Sequence, residues 1–193
     1  MALIAKDTGS GDFERAPQGT HLAICYMVAD IGLQAGQYGA KHKVVIGWEL
    51  PHEKMSDGRP FACSQFYTLS LSSKAVLRRD LESWRSRPFT EQELEGFDMK
   101  NILGKPCQVT IVHEVKGEKT YENVIAVTAV AKGMQIPERV NDLIYYEMEA
   151  PDPRAFEKLP EWIRKKIMAA VQPSTGPDER NPPPADFDDD IPF

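Results

Sequence analysis

Aromatic residues lie close to lysines in the first half of the chain, a pairing suited to binding an unpaired nucleic-acid strand. Tyr38 precedes Lys41 and Lys43, and the segment from residue 30 to residue 40 contains three glycines. Lysines can pair with phosphates while an aromatic ring stacks on a base, and stacking is worth roughly 1–3 kcal/mol per base. The segment therefore predicts a flexible binding loop. A plain solvent-exposed loop is the alternative.

Two aromatic residues in predicted strands differ in their expected roles. Phe66 is the one aromatic residue on a strand face that is otherwise small or polar: Ala62, Ser64, Thr68 and Ser70. This pattern fits a stacking platform and, equally well, a ring covered by a helix near the C-terminus. Trp48 shares its strand parity with Val44 and Ile46, which favours the core. A bulge in that strand would instead turn Trp48 towards a ligand.

Two further side chains complete the candidate surface. Tyr121 sits beside a predicted turn between the last two strands of the sheet, and Arg59 can contact phosphate or simply be solvated. A row of arginines on a predicted helix (Arg78, Arg79, Arg85 and Arg87) is better explained as a solvated face. The residues expected to bind a single strand of DNA are Tyr38, Lys41, Lys43, Trp48, Arg59, Phe66 and Tyr121.

The residue types used in catalysis do not cluster in the sequence. The four histidines have no metal-ligand spacing with one another or with the three cysteines. The strand parity of one of them, His113, predicts a packed histidine. No glycine-rich phosphate loop and no nucleophile-elbow motif occurs. We therefore expect no enzyme activity, no cofactor and no metal site.

The last eight residues combine an acidic run with an apolar end. Residues 186–193 read DFDDDIPF, and we expect Phe193 to carry the terminal carboxylate. A merely solvating tail, the usual explanation for a charge run, has no need of an Ile-Pro-Phe end. We expect a partner protein to bind the acidic and apolar side chains, here called the tip: Asp188, Asp189, Asp190, Ile191, Pro192 and Phe193. The proline-rich residues 172–185 before it predict an extended linker.

The charge distribution separates this tail from the rest of the chain. The 193 residues carry a net charge of −6, and residues 173–193 hold six acidic side chains against one arginine. The remaining residues are nearly neutral, so overall acidity does not exclude a DNA-binding body. The three separated cysteines indicate reduced, buried thiols. With no run of about 20 apolar residues and no secretory signal near the N-terminus, we expect a cytoplasmic protein.

The predicted elements place these residues on a small barrel. Strands are expected at 20–29, 41–50, 61–71, 106–115 and 120–131, with an extra strand at 143–148. A helix capped by Ser72 or Ser73 would follow the third strand with Leu77, Leu81 and Trp84 as its apolar stripe, and Thr90 would open a second helix. Another helix is predicted at 156–171, and residues 1–18 should form a mobile arm. This order predicts a mainly β, five-stranded OB-fold barrel over residues 19–171, with a helical insertion between strands three and four.

The chain resembles a known family in two places. The tip resembles the C-terminal tip of bacterial single-stranded DNA-binding proteins. The region from Lys74 to Val127 is similar to phage-encoded relatives, and the likeness lies in Leu77–Leu81, Arg87–Thr90, Glu95–Asp98, Asn101–Cys107 and Tyr121–Val124. The resemblance implies an OB-fold protein that coats single-stranded DNA during replication, recombination or repair. The body here is longer than the bacterial one, so the tetrameric assembly is not implied and the oligomeric state stays open.

Two functions follow from these features, and they belong to different classes. In the first, the body binds single-stranded DNA while the tip recruits replication and recombination proteins. In the second, the chain is an adaptor that mimics the tip to occupy host pockets and does not bind DNA. A DNA-processing enzyme with an OB module is a weaker third option, because the sequence lacks a carboxylate or histidine cluster.

Overall fold

The computed structural model describes residues 14–36, 39–117 and 119–170. The strands are β1 (Gly19–Gln34), β2 (Lys41–Lys54), β3 (Pro60–Thr68), β4 (Pro106–Lys116), β5 (Lys119–Thr128) and β6 (Ile144–Tyr146). The helices are α1 (Val76–Arg85), α2 (Glu91–Glu95), α3 (Pro153–Lys158) and α4 (Glu161–Met168), with a 3₁₀ turn at Met99–Ile102. Their order along the chain confirms a mainly β fold with helices between the third and fourth strands.

One sheet contains the six strands of the described residues. Five run antiparallel in the order β3-β2-β1-β4-β5, and the short β6 pairs in parallel with β1. The long β1 is the centre of the sheet, because its first half pairs with β4 and its second half with β2. It continues to Gln34, so it includes part of the loop predicted at 30–40. A register shift between Asp30 and Leu33 marks that extension, and Gly32 there has a positive φ of 69°.

The two faces of β1 and β2 bury different clusters. The inner face packs against α1, β4 and β5, and the rings of Trp48 and Trp84 lie 6.2 Å apart there. The outer face packs against β6, α3 and α4 through Met27, Ile31 and Val45. Alternation along each strand sends neighbouring side chains to opposite faces, so both clusters share the same two strands.

The helices between β3 and β4 follow the predicted pattern except at one cap. Helix α1 buries its apolar stripe as predicted. Its N-cap, however, is Ala75, which has no side-chain oxygen, so the predicted Ser72 or Ser73 cap is wrong. The Ala75 N–H donates to the Ser72 carbonyl oxygen, which forms a turn before the helix starts. The capping box of α2 is confirmed, since Thr90 and Glu93 bond reciprocally.

The single helix predicted at 156–171 is wrong, because α3 and α4 are separate. Leu159 and Pro160 interrupt them with extended backbone, at ψ of 143° and 145°. A proline has no N–H to donate and disfavours helical backbone in the residue before it. The apolar spacing of Leu159, Ile163 and Ile167 nevertheless holds across the break, and all three are buried against the sheet. The end of the predicted helix, from residue 171, lies outside the described residues.

A buried carboxylate fixes the connection between β5 and β6. Glu49 on β2 is fully buried and accepts hydrogen bonds from the Val140 and Asn141 N–H groups at 2.8 and 2.7 Å. The Asn141 side-chain amide adds a third at 2.6 Å. These bonds tie the connection to the outer face of β2, just before it enters β6.

Residues 14–18 differ from the predicted mobile arm. Ala16 is buried, and its N–H donates to Glu122 on β5 at 2.9 Å. His113 is half-buried, and its Nε2 lies 2.8 Å from the Ala16 carbonyl oxygen. These contacts attach the segment to β4 and β5, while residues 1–13 lie outside the described part. No helix in the described ranges is both long and apolar enough to span a bilayer.

Candidate nucleic-acid interface

Phe66 forms an exposed aromatic pair with a residue of α4. Its ring centroid lies 5.6 Å from that of Trp162, with the ring planes tilted by 58°. The two side chains remain 43% and 42% exposed, respectively. Helix α4 therefore contacts Phe66, as expected if a helix near the C-terminus packs there. Both rings nevertheless remain accessible. The result is a surface of two rings, here called the aromatic pair.

The packing of α4 places Trp162 at this surface. Ile163 and Ile167 point into the outer cluster, so the preceding residue is turned to the edge of the helix. Trp162 was not among the residues predicted from the sequence, because the apolar stripe of the predicted helix indicates only the buried positions. The available signal was a large aromatic residue outside that stripe, three residues before Lys165.

Lysine side chains share the face of the aromatic pair. Lys43 pairs with Thr68 in the ladder and Val45 pairs with Phe66, so Lys43 is a diagonal neighbour of Phe66 on one face. Lys41 is exposed at the start of β2. Within the described part of the chain, no ion pair involves either lysine. Their charges are therefore available to phosphate groups.

Trp48 lies in the core, as its strand parity favours. It is 1% exposed and packs on the inner face of β2, so its ring is inaccessible to a base. The ladder of β2 with β3 is continuous from Lys43 to Leu50, and the irregularity opposite Trp48 lies in β1, between Cys25 and Met27, so the alternation of β2 is kept. Trp48 is therefore not part of the candidate interface. Tyr38 and the tip residues lie outside the described part of the chain.

Arg59 and Tyr121 lie on other elements. Arg59 follows the turn between β2 and β3, and its Nη2 lies 2.6 Å from Oδ2 of Asp57. Hydrogen bonds from Arg59 lower the pKa of the Asp57 carboxyl. Tyr121 is exposed on β5 opposite Glu114, near the β4–β5 turn. The described contacts do not join either residue to the aromatic pair, so both are separate candidate contacts.

The arginines around α1 are engaged in ion pairs. Arg78 pairs with Glu82, and Arg79 with Asp80. Arg85 and Arg87 both pair with Glu93, at 2.5 and 2.9 Å. A hydrogen bond from the Thr90 N–H, followed by those from the arginines, lowers the pKa of Glu93 to about 2.

A histidine–aspartate contact and the three cysteines belong to the packed body of the protein. His42 Nε2 lies 2.6 Å from Oδ1 of Asp30, which also accepts the Gly32 N–H and so supports the irregular stretch of β1. All three cysteines are free and buried, and desolvation raises the pKa of each thiol. No group of three His, Cys, Asp or Glu residues in the described ranges could hold a metal ion.

Comparison with protein-family models and with curated proteins finds no match to this chain.

Proposed function

We propose that this protein binds single-stranded DNA without marked sequence preference and recruits other proteins of DNA replication, recombination or repair through its tip. The observation that carries the proposal is the exposed pair of Phe66 and Trp162 on the face that also presents Lys43. Sequence-tolerant binding needs rings for bases and cations for phosphates. Both are available on this face.

The strand order supports the same proposal. An OB barrel is a five-stranded Greek-key barrel that binds oligonucleotides on the face of its second and third strands. Here the order β3-β2-β1-β4-β5 is compatible with that topology, and β3 and β5 approach within 8 Å between Cα atoms. Phe66 of the aromatic pair lies on β3 and Lys43 on β2, the two strands that such a barrel uses, and Trp162 adds the second ring from α4.

The tip supports the recruitment part of the proposal by its chemistry. Three consecutive aspartates steer it towards basic surfaces, and Ile191 and Phe193 supply apolar groups for a pocket. Salt should weaken the electrostatic contribution. Removing residues 186–193 should therefore abolish capture of partner proteins. Unchanged capture by the truncated chain would contradict this role.

Titration with oligo-dT tests the DNA-binding part. Of the three tryptophans, Trp162 alone is substantially exposed, so stacking on it should quench the accessible part of the fluorescence. Affinity should fall with salt, at a log–log slope of about −0.7 per phosphate contact. Replacing Phe66 or Trp162 with Ala should weaken binding by roughly 1–3 kcal/mol each.

Two matched controls show whether a loss of binding is specific to the face of the aromatic pair. Ile125→Ala removes an exposed apolar side chain on β5 and is the control for the two aromatic variants. Lys132→Glu reverses an exposed charge elsewhere and is the control for Lys43→Glu. The two controls should bind nearly as the unmodified chain does. No binding of oligo-dT at low salt would refute the proposal and favour the adaptor that carries only the tip. Equal losses in test and control variants would refute the assigned face.

A further inference from the structure

Helix α4 presents a cation beside the aromatic pair. Ile163 and Ile167 bury one face of the helix against the outer cluster. Each residue of an α-helix is rotated by about 100° from the one before, so Lys165 lies opposite the two isoleucines and Lys166 lies at the margin of the buried face. Trp162 is four residues before Lys166 and is therefore its neighbour on the same margin. The DNA-binding face proposed so far does not include Lys166.

Hydrogen bonds place Lys166 next to the start of β2. The Gln34 side-chain amide donates to the Lys166 carbonyl oxygen at 3.1 Å and to the Ile31 carbonyl oxygen at 2.6 Å. Gln34 is the last residue of β1 and pairs with Lys41 in the β1–β2 ladder. Opposite residues of an antiparallel ladder have Cα atoms about 4.5–5.5 Å apart. One glutamine side chain therefore separates the backbone of Lys166 from the ladder that presents Lys41.

The chain at the end of α4 also approaches β1 closely. A Cβ atom at Gly32 would lie 3.1 Å from the Cβ atom of Ala170, just after the helix. That distance is tighter than ordinary van der Waals contact, so a side chain at this position would push the two elements apart. The helix is therefore held both at the aromatic pair and at its C-terminal end, and Lys166 keeps its position relative to the lysines of β2.

The three lysines around this site have no carboxylate partner. Lys41 and Lys166 are exposed and Lys43 is half-buried, and no ion pair within the described part of the chain involves any of them. Lys165 differs, because its Nζ lies 2.7 Å from Oε1 of Glu161. Unpaired cations therefore flank the aromatic pair from two elements, β2 and α4. This arrangement suits a strand whose phosphates lie on both sides of its stacked bases.

We infer that α4 is the second wall of the strand-binding site and that its Lys166 binds a phosphate group of the DNA. The strand lies between β2 and α4, with Lys41 and Lys43 on one side, Lys166 on the other and the aromatic pair between them. The inference rests on the proposed DNA binding and adds to it an element outside the five-stranded path of the sheet. The alternative is an α4 that only covers the outer cluster, with Lys166 solvated.

Salt-dependent titration with oligo-dT compares Lys166→Gln with Lys165→Gln in the full chain. One lost phosphate contact should reduce the log–log slope by about 0.7, which corresponds to a loss of affinity of about eightfold at 50 mM salt and about threefold at 200 mM salt. Lys165→Gln is the matched control, since it removes an equal charge one residue away on the solvent side, and its slope should stay unchanged. Because Gln34 bonds to the backbone carbonyl oxygen of Lys166, Lys166→Gln should leave the urea midpoint of unfolding unchanged.

Acylation of lysine side chains gives a second measurement on the unmodified chain. An amine-reactive ester labels accessible lysines, and tandem mass spectrometry distinguishes Lys165 from Lys166. Saturating oligo-dT should protect Lys41, Lys43 and Lys166 from the reagent. Lys165 and the exposed Lys132 should react as they do in the free protein.

The outcomes separate this inference from the DNA-binding proposal. An unchanged salt slope in Lys166→Gln would overturn the inference, and so would full acylation of Lys166 in the complex. Equal changes in the Lys166 and Lys165 variants would also overturn it, because they would show a general effect of charge. In each of these cases, a loss of affinity in Phe66→Ala would leave the DNA-binding proposal standing. Absence of oligo-dT binding by the unmodified chain would refute both.

Discussion

Replacing Glu49 with Gln should loosen the connection between β5 and β6. The fully buried carboxylate accepts one hydrogen bond at Oε1 and two at Oε2, all from Val140 and Asn141. Glutamine has a single acceptor oxygen, so its NH₂ group must face at least one of these donors. A buried donor left without an acceptor costs about 1–3 kcal/mol. With a urea m-value of about 2 kcal/mol/M, a loss of 2 kcal/mol would lower the unfolding midpoint by about 1 M.

Urea unfolding and amide hydrogen exchange measure this effect. The Val140 and Asn141 amides should exchange faster in the variant, because they lose or weaken their acceptor. Glu157→Gln, at an exposed position of α3, is the matched control and should change stability by no more than about 0.5 kcal/mol. The reasoning is refuted if Glu49→Gln unfolds at the same urea concentration as this control and the two amides exchange as before.

Three further predictions concern the Tyr67–Asp80 hydrogen bond, the capping box of α2 and the buried cysteines. The Tyr67 hydroxyl donates to Oδ2 of the buried Asp80 at 2.9 Å, so Tyr67→Phe should destabilise the fold by about 1–3 kcal/mol in urea unfolding; an unchanged midpoint would contradict this. The fold lowers the pKa of Glu93 from 4.5 to about 2. The ionised Glu93 side chain therefore stabilises the fold fully above pH 4.5, and this stabilisation is lost as the pH falls towards 2. The difference in unfolding midpoint between the unmodified chain and Glu93→Gln should therefore shrink over that range, and a pH-independent difference would argue against the capping contact. Because burial raises the pKa of all three cysteine thiols, a disulfide reagent should label them only after denaturant is added, and rapid labelling of the native protein would contradict their burial.

Local patterns in the sequence predicted much of the fold. Alternation placed Val44, Ile46 and Trp48 on the inner face of β2, and the capping box at Thr90 marked the start of α2. These features depend on a few neighbouring residues, so they can be read without knowing the rest of the chain. The break at Pro160 was also available from the sequence, but an apolar stripe that continued across it masked the interruption.

The candidate interface could be predicted only in part. Lys43 and Phe66 were identified from their own strands, and their placement on one face depends on the β2–β3 register. Trp162 is almost one hundred residues away from Phe66 along the chain, so no local pattern could bring the two rings together. Their contact results from the docking of α4 on the outer cluster.

The sequence by itself determined the order of the principal elements and the separation of a nearly neutral body from an acidic tail. It also determined the chemistry of residues 186–193, because charge and apolar character belong to the side chains. Only the tertiary structure decided which aromatic residues are accessible: Trp48 is enclosed between β2 and α1, while Phe66 and Trp162 remain open. Accessibility depends on what packs above each ring, and here elements far apart in the chain do that packing.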